Sequence, residues 1–252
     1  MRFILTLFFP VLLFCCSGVY GQLLPYDLQC EHQTEPQAIE ARIPVFSWKL
    51  KGKATVRQAR VWIKMATDKQ SLNKADIWQS PAIPTQECKI AYNGKEELSP
   101  AHRYWWQIRM EDEDGKVSPW SKAASFSTGL TDPKAWQAQW ICAPWEDDAP
   151  APSFRKHFKL RKNPVYVQLF CSGLGYFEAR VNDQKVSDEV LIPNQTNYGV
   201  RAGLEKARVP IEGKFRRYSV NYLGFDLSKL VKEGENELDI LLGNGFFNAK
   251  EI

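Results

Sequence analysis

The sequence predicts an all-β protein made of two successive β-sandwiches, and three observations carry that prediction. Short segments of alternating apolar and polar residues recur along the chain, separated by turn residues. No amphipathic helical stretch of any length stands between them. All nine tryptophans lie between Trp48 and Trp145, which divides the chain into two compositional regions. A length of 252 residues allows one or two domains of roughly 100–200 residues. It leaves no room for a (β/α)₈ barrel of about 250 residues beside two small domains. The hydrophobic fraction of 44% and charged fraction of 25% are those of an ordinary globular protein. A net charge of +4, from 33 basic and 29 acidic residues, is too weak and dispersed for a nucleic-acid footprint.

The chain opens on an export signal, residues 1–21. Arg2 precedes an apolar run from Phe3 to Phe14 that is too short to span a bilayer. Val19 and Gly21 occupy the −3 and −1 positions of a cleavage site before Gln22. The rival reading is a lipoprotein signal at Cys15 or Cys16, against which the bulky Phe14 counts. The protein is therefore expected to be periplasmic or secreted, with no membrane segment after cleavage. Four cysteines remain: Cys30, Cys88, Cys142 and Cys171. An oxidising compartment permits Cys30–Cys88 and Cys142–Cys171 pairs, while four buried free thiols suit a chain this long. With no C-x-x-C motif and only His32, His102 and His157, there is little to build a zinc site from.

Residues 22–130 are expected to form the first sandwich. In Ala59–Met65, the side chains of Ala59, Val61, Ile63 and Met65 share one strand face and Arg60 and Lys64 the other. Arg103–Met110 alternates Tyr104, Trp106, Ile108 and Met110 against Arg103, Trp105, Gln107 and Arg109. Glu111–Gly115 then closes a turn, because Asp-Gly tolerates the positive φ of tight hairpins. Its carboxylates lack the spacing of an EF-hand loop and read as a solvated turn. Leu130-Thr131-Asp132-Pro133 breaks the pattern, and the proline-rich stretch from Pro144 to Pro152 reads as a loop. The second sandwich is expected over 131–252, with strands at Tyr166–Ser172, Tyr176–Val181, Gln184–Val186 and Glu237–Leu242. A hairpin turn falls at Asn182-Asp183 and another turn at Gly234–Asn236. Asp226–Val231 is the one short helical candidate, capped by Asp226 or Ser228. Gly173-Leu174-Gly175 is followed by no helix pattern, so it is not a phosphate loop.

The run Leu98–Arg109, then Ser118-Pro119-Trp120-Ser121 and Phe126-Ser127-Thr128-Gly129-Leu130, resembles a module of bacterial α-L-rhamnosidases of glycoside hydrolase family 78. That module is fibronectin-III-like and opens the family's enzymes. Trp136–Ile141, Phe154–Phe158, Ser172–Asp188, Leu191–Tyr198, Gly234–Leu238 and Leu242–Phe247 continue the resemblance in the same order. They are similar to the family's jelly-roll-type N-terminal sandwich, left unfinished where the chain stops at Ile252.

The resemblance implies a non-catalytic, accessory part of a rhamnosidase, because the family's acid and base sit on an (α/α)₆ barrel downstream. No catalytic residue carries over. Inverting glycosidases need two carboxyls about 6.5–9.5 Å apart. Glu178 on its strand, Asp188 and Glu189 after a hairpin, and Glu146–Asp148 in a loop do not read as such a pair. The implied partners are the catalytic barrel or rhamnose-containing glycans. The alternative is a stand-alone rhamnose-binding module. Related sandwiches bind rhamnose with calcium through an Asp-Asn pair at the hairpin; Asn182 matches the asparagine, but Val181 replaces the aspartate, so no cofactor or metal is expected. Trp62 and Trp105 lie opposite the apolar stripes of their strands, as sugar platforms or as packing against a neighbouring domain. An incomplete second sandwich would leave a strand edge or core face open to association.

Overall fold

A computed structural model describes residues 22–52, 55–144, 150–196 and 220–245. Residues 1–21, read above as an expected export signal, and Trp145, Glu146–Asp148, Tyr198 and Phe246-Phe247 lie outside them. The described chain is all-β, its helical content confined to two short 3₁₀ turns at Gln70–Asn73 and Pro133–Ala135.

The first sandwich is built on its longest strand pair, β3 (Gln58–Ala66) and β7 (Arg103–Asp112). Their antiparallel register sets Val61 opposite Met110, Ile63 opposite Ile108 and Met65 opposite Trp106. Period-two alternation therefore turns these residues and Tyr104 inward together, and each is at most 2% exposed. β8 (Ala124–Ser127) pairs with β7, while β4 (Trp78–Gln79) and β5 (Ile83–Pro84) flank β3. The facing sheet orders β1 (Leu24–Cys30), β2 (Val45–Lys51) and β6 (Lys89–Ala91). Phe46 of β2 fills the gap between sheets, its ring 4.6 Å from Trp106 and 5.7 Å from Phe126. The buried Gln58 satisfies its own amide by accepting the Trp48 indole N–H at 3.0 Å and donating to the carbonyls of Thr85 and Glu87.

The second sandwich places β9 (Ser153–Leu160), β14 (Gly234–Gly243), β11 (Tyr176–Val181) and β12 (Gln184–Lys185) in one sheet. The other is the pair β10 (Gln168–Cys171) and β13 (Leu223–Asp226). Phe177, Ala179 and Val181 of β11 meet Phe225 and Leu227 in the core. Asn182 and Asp183, with φ of 50° and 66°, make the expected two-residue hairpin turn.

Four local expectations are corrected. Gly234–Asn236 is not a separate turn but the start of β14, because Leu160, Lys159 and Phe158 of β9 pair with it. Asp226–Val231 is not a helix: Asp226 ends β13 and a single turn follows, in which Leu230 and Val231 N–H donate to the Leu227 carbonyl. Leu227 N–H is taken by Val167 of the neighbouring strand edge, and so short a segment cannot repay helix nucleation. Cys142 is an exposed thiol rather than a buried one; Cys30 and Cys171 are buried, Cys88 is half-buried, and all four are free. In the acidic turn, Asp112 is also buried, its carboxylate accepting from the N–H groups of Asp114 and Lys116.

Candidate carbohydrate-contact sites

The Ser118-Pro119-Trp120-Ser121 segment runs along the free edge of β7. Ser118 and Ser121 pair their backbone N–H groups with the Met110 and Ile108 carbonyls, each at 2.8 Å. Their hydroxyls accept the N–H groups of the same two residues at 3.1 Å. Pro119 has no N–H to offer, so serine side chains complete a ladder that the backbone alone leaves open. The result holds Trp120 over the outer face of the sheet.

There the Arg109 guanidinium lies 4.8 Å from the Trp62 ring centre and 5.0 Å from that of Trp120. The Lys64 ammonium sits 4.4 Å from the Trp120 centre. Trp62 and Arg109 are register partners, which fixes the first contact. Ring quadrupoles here take the place of counter-carboxylates. Burial, and then the charge of Arg109, pull the Lys64 ammonium below its ordinary pKa. Trp62 is thus one rung of a Trp–Arg–Trp–Lys stack. Trp105 lies elsewhere on the same sheet, with the Arg103 guanidinium 5.3 Å and the Lys69 ammonium 5.5 Å from its centre.

Asn182 belongs to the second sandwich and shares no site with either tryptophan. Its amide donates to the Leu230 carbonyl and to Asn236 Oδ1, both at 2.9 Å, and its Oδ1 accepts the Glu237 N–H at 3.1 Å. It ties the hairpin to the turn after Leu227 and to β14. Asn236, only 2% exposed, continues the network by donating to the Lys232 and Gly234 carbonyls and accepting the Lys232 N–H. The sequence offered a signal for this partner in Gly234-Glu235-Asn236, where a turn asparagine can bind its own backbone.

The carboxylates are held as anions. Glu178 is kept below its ordinary pKa by the Lys185 ammonium at 2.6 Å and by Arg180. Asp239 is lowered by the Ser153 hydroxyl at 2.6 Å and by Arg155. Asp188 and Glu189 are exposed. Among the described residues, no three His, Cys, Asp or Glu side chains gather as a metal would require. No described helix is long and apolar enough to cross a membrane. One concavity escaped sequence reasoning: an open apolar groove of about 460 Å³. Trp136, Trp140, Phe154, Phe170 and Leu242 line it, and Trp140 is exposed.

Residues 25–132 match the family described as the Rha78A-like N-terminal immunoglobulin domain, and residues 162–209 match the α-L-rhamnosidase N-terminal domain. An α-L-rhamnosidase of Formosa agariphila is 31% identical, over 93% of this chain and 26% of its own length. An α-L-rhamnosidase of Alteromonas sp. is 23% identical over 82% of this chain and 22% of its own length. Among solved structures, the α-L-rhamnosidase from Dictyoglumus thermophilum superposes with a TM-score of 0.72 at 31% identity, covering 88% of this chain and 25% of that one. The native enzyme from Aspergillus terreus shares the fold, with a TM-score of 0.67 at 23% identity over 90% of this chain and 24% of its own. The chain spans about a quarter of the length of these relatives.

Proposed function

This chain belongs to the N-terminal region of the α-L-rhamnosidase family, and we propose that it serves an exported rhamnosidase as a non-catalytic accessory module. In this reading its sandwiches, bounded near residue 130, pack on a catalytic barrel and shape the approach of rhamnose-containing glycans. The observation that carries it is the alignment of 93% of the chain with only 26% of a rhamnosidase relative.

The state of the carboxylates supports the same reading. A glycosidase's general acid must hold its proton near neutral pH, which needs an environment that raises its pKa. Among the described residues, the carboxylates with a resolved shift are Asp68, Glu178 and Asp239, and all three are lowered. Each is stabilised as the anion and unsuited to protonating a leaving group.

The stand-alone carbohydrate-binding reading assigns contacts to Asn182, Trp62 and Trp105. Each of these side chains already has partners within the protein: hydrogen bonds for the asparagine, cations for the tryptophan rings. The accessory role is therefore the better supported. Isothermal titration of the chain with L-rhamnose, with and without calcium, separates the two. The accessory reading expects no saturable heat in either condition; a saturable isotherm abolished by Asn182→Ala without loss of folding would replace it with the binding-module reading.

A further inference from the structure

The exit of the first sandwich, Phe126–Leu130, does more than end a strand. Ser127, fully buried, stands at the centre of a polar cluster drawn from both sandwiches. Its hydroxyl accepts from the Gln168 side-chain amide of β10 at 2.9 Å and donates to the Gln37 side-chain carbonyl at 3.0 Å. Gln37 also accepts the Tyr166 hydroxyl at 3.2 Å. Three residues on, the Leu130 N–H donates to the Tyr222 hydroxyl at 2.8 Å. The Tyr222 ring packs in turn against Trp136 and Phe170.

Two glycines form seats in this contact. A Cβ on Gly129 would lie 2.3 Å from the Tyr222 hydroxyl oxygen, an impossible approach. A Cβ on Gly224 of β13 would lie 2.5 Å from the Cβ of Ala38 in the first sandwich. No positive φ is recorded for either residue, so close approach rather than backbone conformation requires glycine. A third contact is the Arg103 guanidinium of β7. It lies 4.1 Å from the Tyr166 ring centre while its Nη1 reaches Asp226 at 3.1 Å, so one cation joins strands of both sandwiches.

We propose that this junction makes the two sandwiches one cooperative unit, with Gly129 and Gly224 as the paired seats through which each recognises the other. The ending of the first sandwich, Phe126-Ser127-Thr128-Gly129-Leu130, is then a docking surface for β10, β13 and Tyr222. The connecting chain between them need carry none of the coupling. The proposal concerns how the chain is assembled and stands apart from its role in a rhamnosidase.

The uneven tryptophans supply the test. Every described tryptophan lies at or before Trp140, so indole fluorescence follows the first sandwich and the junction. Backbone circular dichroism follows both sandwiches. Thermal melts of the unsubstituted chain by the two probes should coincide. Gly129→Ala should separate them by about 5 °C or more, as expected for a loss on the order of 1 kcal/mol confined to one unit. Tyr222→Phe alone removes the acceptor of the Leu130 N–H and leaves both glycine seats in place. That variant should therefore keep the two melts closer together than Gly129→Ala does. Separate melts in the unsubstituted chain, or coincident melts in Gly129→Ala, would overturn the proposal. Melts separated as widely in Tyr222→Phe as in Gly129→Ala would also overturn it, because the hydrogen bond and not the glycine seats would then carry the coupling.

Discussion

Asn182 and Asn236 show how much a pair of small amides can hold. Between them they satisfy backbone groups of the turn after Leu227 and of the start of β14, and they tie the hairpin turn to both. Replacing Asn236 by alanine leaves the Lys232 N–H and an Asn182 donor unsatisfied in a buried setting. The expected loss is about 2–3 kcal/mol, read by urea unfolding. Asn182→Asp puts a carboxylate oxygen against the Leu230 carbonyl and Asn236 Oδ1, and should destabilise more than Asn182→Ala. Equal melting of all three proteins would mean that Asn182 is free for a ligand. The thiols are distinguished by exposure in the same way. Cys142 should alkylate first in the native chain and Cys30 and Cys171 last, as peptide mass mapping of iodoacetamide adducts would reveal. Burial raises the pKa of the Cys171 thiol to about 11 and that of Cys30 also strongly upward, so both lack the reactive thiolate.

At the scale of elements, the Trp62–Arg109–Trp120–Lys64 stack is the feature that binds an edge segment to its sheet. Trp120→Ala exposes Lys64 and removes a ring from Arg109, with an expected cost of about 1–3 kcal/mol to the first sandwich from lost contacts and lost burial. Guanidine melts followed by circular dichroism would measure it, and an unchanged midpoint would leave the stack without energetic weight. The strands were legible in the sequence only in part: β1, β2 and β9 were not read from it, β10 is shorter than expected and β14 starts earlier, at Gly234. β11 has the expected bounds, and β3 and β7 extend the expected strands by one or two residues. What escaped depends on contacts distant in the chain. Alternation puts Lys64 on the outer strand face but does not show Trp120 lying over it. Asp226–Val231 reads as a helix until Val167 takes the Leu227 N–H. Trp62 and Trp105 read as sugar platforms or as packing against a neighbouring domain because alternation reports a face, not what covers it. Asn182 was visible as a turn residue, but its partner Asn236 lies 54 positions away.

For the whole molecule, the shifted groups set the pH range of stability. Asp68, Glu178 and Asp239 have folded pKa values below their unfolded ones, so the stability they lend is present above the ordinary carboxylate range and lost as pH falls through it. Cys30 and Cys171 are shifted upward, as is the Tyr222 phenol, to about 12. Their contribution is complete below the ordinary thiol and phenol values and is lost as pH rises from there toward the folded ones. Melting temperature should therefore be flat between roughly pH 5 and 8 and fall on both sides. The acid limb should flatten in Asp239→Asn, whose Ser153 and Arg155 contacts no longer depend on ionisation. An acid limb unchanged by that substitution would place the dependence on other groups.

The central claim is that this region assists rhamnoside hydrolysis without performing it. The most direct measurement is release of p-nitrophenol from p-nitrophenyl α-L-rhamnoside by the folded chain alone, across the same pH range. The prediction is no release above the buffer rate at any pH. Release that saturates with substrate and scales with protein concentration would contradict it.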